Sequence, residues 1–177
     1  MLSFGITLLL ALATPQGTAS DLKNNREGPI EFTCDSMKIT TNPNRSICQN
    51  NVVVRRGDLL VCCTHFTGNA QSDWSWKAFT CKGNVIAQRA NELMWADTAL
   101  FDLQSSDLVL RGKPLLQRAN SHLTGTKITL NIESDQADIV KPRGIVYSTP
   151  TSGTPVKRIA LKGPVPNKCP LPPRPQR

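Results

Sequence analysis

Histidine is nearly missing from this chain: His65 and His122 are the only two. A cysteine nucleophile needs a neighbouring base, so the shortage leaves little room for catalysis. His65 lies two residues from Cys63, on the same strand face, and reads as a strand histidine at the solvent or a groove rim. Acidic residues are missing from the last stretch. From Lys141 to Arg177 there are eight basic residues and no acidic one, so the whole excess of +8 sits there and residues 1–140 are neutral. Aromatics are scarce at 5%, and the basic stretch holds only Tyr147, which serves base stacking poorly and argues against nucleic acid. Lipid phosphates, a membrane surface or acidic partner loops suit that charge better, unless the tail is simply solvated.

Long apolar runs are also missing. Phe4 to Ala13 is apolar but too brief to span a bilayer comfortably. Pro15 and Gly17 break it, and Gly17-Thr18-Ala19 offers small residues for cleavage after Ala19. Residues 1–19 therefore read as an export signal, although they lack Lys and Arg at the start. An uncleaved membrane anchor is the competing reading. No cysteine near the cleavage point suggests a lipoprotein anchor. Beyond this stretch no helix-period segment with caps appears.

What the chain does hold is short alternating strands. Pro29 to Ile39, Cys48 to Arg56, Leu59 to Phe66, Cys81 to Gln88 and Glu92 to Asp102 read as strands, as do Leu108 to Arg118 and Leu123 to Ile132. Ala137 to Lys141 and Gly144 to Tyr147 form a last pair. Asn42 to Arg45 and Gly57-Asp58 are turns, and Thr67 to Ser75 reads as a loop. This gives an all-β domain over 29–147 and a basic, Pro-rich tail over 148–177, largely disordered. Val156 to Leu161 has the composition of one more strand.

The strands repeat. Cys48-x-x-Asn51-Val52 matches Cys81-x-x-Asn84-Val85 at an offset of 33, and Gly112 and Gly144 continue the Gly83 place. Cys34-Asp35, Cys63-Thr64 and Ala96-Asp97 occupy matching places in the second strand of each unit. Units of this size cannot bury an apolar face alone, so they stack into two facing sheets with one interior.

Six cysteines, all after the signal, read as disulfides in an exported chain. A zinc site would want close pairs, whereas the side chains of Cys62 and Cys63 point to opposite faces of a strand. Neither a metal nor a cofactor is expected. Asp97, Asp102 and Asp107 sit at strand edges and turns rather than as a catalytic carboxylate pair. No catalytic residue is assigned, and the chain reads as a non-enzyme. A periplasmic enzyme using Cys63 or a carboxylate would need a deep polar pocket. If equivalent places stack on neighbouring strands, Cys48 joins Cys81 and Cys34 joins Cys63, leaving Cys62 for Cys169.

Gly-Asn-Val, a polar break, a strand with Ala96-Asp97 and an aromatic-Asp end at Phe101-Asp102 occur in that order. Leu110-x-Gly112-x-Pro114 and Leu123-x-Gly125-x-x-Ile128 follow. This order resembles the OstA-like N-terminal domain, the family that includes LptA, from about Glu31 to Val146. The resemblance implies an open, V-shaped β-jellyroll of stacked antiparallel strands in the periplasm. It implies an apolar groove that shields the acyl chains of lipopolysaccharide (lipid A) between inner and outer membrane. It also implies head-to-tail homo-oligomers, an LptC-like inner-membrane partner and an LptD-like outer-membrane translocon. Alternation puts Val52, Val54, Leu60, Val85, Leu93, Trp95, Phe101, Leu110, Ile128, Leu130 and Ile132 on the interior face as groove candidates. Trp95 and Phe101 are expected to share it. Two other readings stand beside this one: an LptC-like anchored subunit of the same machine, and a stacked-β structural or adhesive protein with a filled core.

Overall fold

The computed structural model describes residues 28–147 and 163–175. The export signal 1–19, its cleavage point, and the 148–162 part of the tail with the Val156 to Leu161 segment lie outside the described residues. Among the described residues there is no α-helix. Twelve strands form one antiparallel sheet. They are β1 (Glu31–Thr33), β2 (Ser36–Thr41), β3 (Asn44–Arg56), β4 (Leu59–Ala70), β5 (Trp76–Arg89) and β6 (Glu92–Asp102). Then follow β7 (Asp107–Arg111), β8 (Leu115–Arg118), β9 (Ser121–Thr124), β10 (Lys127–Asn131), β11 (Ala137–Val140) and β12 (Arg143–Ile145). The all-β, unclosed jellyroll expected from the sequence is the fold observed. β4 runs on to Ala70, so the loop expected from Thr67 starts later.

Pairing divides the sheet into two walls. The first runs β2, 44–49 of β3, 65–70 of β4, 76–82 of β5, 98–102 of β6, then β7, β10 and β11. The second runs β1, 52–56 of β3, 59–63 of β4, 85–89 of β5, 92–96 of β6, then β8, β9 and β12. The long strands β3 to β6 belong to both, so each must bend where it crosses from one wall to the other.

The bend has a backbone cause. Asn50 (φ 59°) and Asn51 (φ 47°) in β3, and Gly83 (φ 80°) and Asn84 (φ 47°) in β5, lie in the left-handed region. Glycine and asparagine tolerate that region best. Register shifts fall at the same row, between Gln49 and Val52, Cys62 and His65, and Lys82 and Val85. Gly112 (φ 77°) continues the row between β7 and β8, and its carbonyl accepts the Asp97 N–H at 3.1 Å. A side chain at Gly112 would meet the Asp97 carboxylate. These are the places that the repeat marks, 33 residues apart from Asn50 to Gly83 and 29 from Gly83 to Gly112, with bulges that increase local bend and twist.

The bend also changes which residues face inward. In β4 the inward series is Leu59, Val61, Cys63 and then Phe66, and in β6 it is Met94, Ala96 and then Ala99, Phe101. Alternation skips a beat at Thr64-His65 and at Asp97-Thr98. The opposite face of the second wall is apolar too. Val53, Leu60, Cys62, Leu93, Trp95 and Leu115 form a separate cluster there with Leu171, and Val165 packs against it.

Residues 163–175 cover that outer face as a strap. The Gly163 carbonyl accepts from Arg55 at 2.6 Å and the Pro166 carbonyl from Thr33 at 2.8 Å. Cys169 is bridged to Cys62, with Cα atoms 5.7 Å apart. The Pro172 carbonyl accepts the Trp95 indole N–H at 3.2 Å, and Arg174 donates to the Lys113 carbonyl at 2.7 Å. The strap thus crosses the second wall from β1 to the corner before β8. The expected disorder of the tail does not hold over these residues. Proline rigidity lowers the cost of ordering them, and the disulfide and the buried Leu171 supply the contacts. Cys169→Ser is expected to lower the unfolding free energy by about 2–4 kcal/mol. Urea denaturation of the oxidised protein measures this, and an unchanged midpoint would mean that the strap adds nothing to stability.

Candidate functional site, the apolar interior between the walls

Between the walls lies one continuous apolar cluster. Val52, Val54, Leu59, Val61, Val85, Ala87, Met94 and Leu116 come from the second wall. Cys48, Phe66, Phe79, Cys81, Ala99, Phe101, Leu108, Leu110, Ile128 and Leu130 come from the first, with Ile132 just beyond β10. Each strand contributes because β-branched and aromatic side chains suit a pleated, buried face.

An aromatic row runs through it across the strands. Phe66 and Phe79 have ring centroids 5.7 Å apart, and Phe79 and Phe101 5.1 Å apart. Phe32 of the opposite wall stacks on Phe66 at 5.8 Å, and Trp76 closes the group at 6.0 Å from Phe66. Gly68 makes room for that indole, since a Cβ there would overlap its ring.

Two arginines of the second wall close the side of the interior away from the corner. The Arg56 guanidinium lies 5.3 Å from the Phe101 ring centroid, a cation–π contact across the walls. Arg89, almost fully buried, donates to the Ile132 carbonyl at 2.6 Å and pairs with Asp135, both beyond β10 of the first wall. Asp58 is 3.8 Å from it on the other side. As the structure stands, side chains fill the interior and Arg89 latches it.

The eleven groove candidates divide. Val52, Val54, Val85, Phe101, Leu110, Ile128, Leu130 and Ile132 lie in this interior. Leu60, Leu93 and Trp95 lie instead under the strap on the outer face, so Trp95 and Phe101 do not share a side. The parity argument failed because the bend at Asp97-Thr98 lies between them. Phe66, Phe79, Met94 and Leu108 were missed. Restarting the alternation after each marked repeat position would have found them.

The cysteines require a correction of the same kind. Cys34 is bridged to Cys48, with Cα atoms 5.8 Å apart, while Cys63 and Cys81 are buried and unbridged. The expected Cys48–Cys81 and Cys34–Cys63 bridges do not form. In an antiparallel meander, equivalent places of successive two-strand units are separated by an intervening strand, β4 in the first case and β3 in the second. That is roughly 9–10 Å, beyond the reach of a disulfide. The Cys63 thiol hydrogen-bonded to Cys81, together with burial, raises the Cys81 thiol well above the ordinary range. His65 is exposed, and among the described residues no cluster of His, Cys, Asp and Glu could hold a metal.

Among the described residues both ends of the sheet are open. β1 and β2 pair only with β3, β11 only with β10, and β12 only with β9. Met37 and Ile39 are exposed near one end, and Val140, Ile145, Val146 and Tyr147 near the other.

Two walls, an unclosed sheet and a shared apolar interior define an open antiparallel β-jellyroll. A family model described as LptA/(LptD N-terminal domain) LPS transport protein matches residues 31–136, and the chain belongs to this family. Among solved structures, a match is LptH from Pseudomonas aeruginosa, described as the LptA homologous periplasmic component of the conserved lipopolysaccharide transport device. The TM-score is 0.64 at 13% identity, over 70% of this chain and 98% of that one, a likeness of fold. No curated protein matches the sequence.

Phe101→Ala removes the end of the aromatic row and the Arg56 contact. It is expected to cost about 3–5 kcal/mol in equilibrium unfolding. A loss under about 1 kcal/mol would show that the site collapses without leaving a cavity.

Proposed function

We propose that this chain is a non-catalytic periplasmic carrier that shields the acyl chains of lipopolysaccharide between the walls during transit from inner to outer membrane. One observation carries the reading: the apolar interior is continuous from the β1 end to the β10 end of a sheet that never closes. Each buried methylene contributes roughly 0.8 kcal/mol, so an acyl chain entering as the walls part would offset the side-chain contacts it replaces. Arg89 is the latch that must yield first. The open edges suit head-to-tail pairing of copies, since unpaired backbone groups invite another strand. The same edges suit an LptC-like protein at one end and an LptD-like translocon at the other. Export through the 1–19 signal supplies the compartment.

Because side chains fill the interior, a structural or adhesive stacked-β protein is the second reading. Site-specific photo-crosslinking in cells separates the two. A benzophenone residue at Leu110 or Ile128 is expected to give lipopolysaccharide adducts, and one at Val53, under the strap, none. Adducts at neither interior position would favour the filled-core reading, and equal adducts at all three would refute a groove between the walls.

A further inference from the structure

The family match ends at residue 136, and beyond it the chain brings three cations to one place. Lys141 and Arg143 flank the corner between β11 and β12, and Arg174 lies at the far end of the strap. With Lys113, at the corner between β7 and β8, they line an open-sided cleft of about 630 Å³. Thr124, Gly125, Thr126 and Pro175 complete the lining, and among the described residues no carboxylate takes part. Arg174 donates one N–H to the Lys113 carbonyl. Among the described residues Lys113, Lys141 and Arg143 make no ion pair.

Like charges gathered this way repel unless an anion joins them. The backbone holds two of them there against preference. Lys113 (φ 49°) and Lys141 (φ 51°) lie in the left-handed region, where the same row elsewhere uses Asn50, Asn51, Gly83 and Asn84. That conformation costs lysine roughly 1–2 kcal/mol, and Ala90 (φ 48°) and Ala119 (φ 51°) adopt it as well. An adjoining cavity of about 460 Å³ shares Thr124, Arg143, Arg174 and Pro175 and adds Leu115 and Ile145. A basic end therefore continues into a partly apolar one.

We propose that this cleft binds a phosphomonoester, as free phosphate or as the phosphate of a lipid headgroup. A phosphomonoester carries about −1.5 to −2 charges on three acceptor oxygens, which suits several cations better than one carboxylate does, and guanidinium groups bind it bidentately. The site stands on the charges of the cleft, whether or not acyl chains enter the interior.

The full chain is titrated with inorganic phosphate by calorimetry, and floated with phosphatidylcholine vesicles with and without phosphatidic acid. Saturable binding of at least one probe is expected, weakened by salt. The combined Lys113→Gln, Lys141→Gln and Arg143→Gln variant should bind about tenfold more weakly, and Arg174→Gln should lie between. These side chains are exposed, and an unchanged melting temperature confirms folding. Binding of phosphate alone assigns the site to the free anion, and binding only of phosphatidic acid vesicles assigns it to a headgroup. Binding of neither probe, or equal binding by the combined variant, overturns the proposal.

Cys63 and Cys81 repeat the relation of Cys34 and Cys48. Cys34 precedes Asp35 at the corner as Cys63 precedes Thr64, and Cys48 precedes Asn50-Asn51 as Cys81 precedes Gly83-Asn84. Each pair joins neighbouring segments, the β1–β2 turn beside β3 and β4 beside β5. The first pair is bridged, and the second lies buried and unbridged in one core cluster on adjacent strands. Cys63 also lines a cleft of about 330 Å³ with Asn50, Asn84 and Cys169, beside the bend of β4.

We infer that Cys63 and Cys81 form a third disulfide in an oxidising compartment. The Cys63 thiolate attacks a protein or small-molecule disulfide and releases one of its sulfurs as a thiol. Cys81, deprotonated, then attacks the mixed disulfide at the Cys63 sulfur and releases the second thiol. Two protons and two electrons leave the chain, and the oxidant gains them. Protein from the oxidising compartment is alkylated in denaturant without reductant and mapped by mass spectrometry. No alkylated cysteine and a Cys63–Cys81 peptide are expected. Alkylation of both, or Cys63 joined to any other cysteine, would sink the inference.

Discussion

At Asn50-Asn51, Gly83-Asn84 and Gly112-Lys113 the backbone turns left-handed in one row on alternate strands of the sheet. That row is the constraint on which the molecule depends. It lets long strands serve two walls, with pairing interrupted only at the bulges that absorb the bend. It fixes which side chains meet, since inward parity in β4 and β6 is reset as the chain crosses it. The walls then bury a single cluster that neither could bury alone, which is how stacked repeats reach stability.

The sheet does not close, and this separates the molecule from an ordinary sandwich. Its ends expose unpaired strands, while the interior is completed by side chains and by the Arg89 contacts to Ile132 and Asp135. A buried arginine that bridges two walls is costly to break when its partners are lost. The Arg89 contacts thus tie the two walls together at one place.

The strap adds a third layer on one wall only. It converts the outer face of that wall into a second apolar interface, tied by Cys62–Cys169 and by Trp95 to Pro172. It also carries Arg174 to the corner beside Lys113, so a segment beyond the family match shapes both stability and surface charge. The first wall has no such cover among the described residues.

The all-β class and the two-strand repeat were legible in the sequence, though not that the long strands bend at the repeated positions. Gly-Asn and Asn-Asn pairs announce left-handed backbone at fixed spacing, and β-branched runs announce strands. Eight of the interior residues followed from alternation alone, Val54 and Ile128 among them. Leu60, Leu93 and Trp95 were misplaced for a tertiary reason. Leu59 to Cys63 and Glu92 to Ala96 are buried on both faces, so their sequence has no polar beat to reveal which side faces in. The strap that buries the outer side arrives from more than seventy residues further along the chain. Two of the three expected cysteine pairs, all but Cys62–Cys169, were wrong for a similar reason: the repeat shows which places are equivalent, but only the strand order shows that equivalent places lie two strands apart. Local chemistry determined the bends and the strands. Long-range packing decided what lies on each side of them, because burial depends on what comes to cover a face and not on the residues of that face alone.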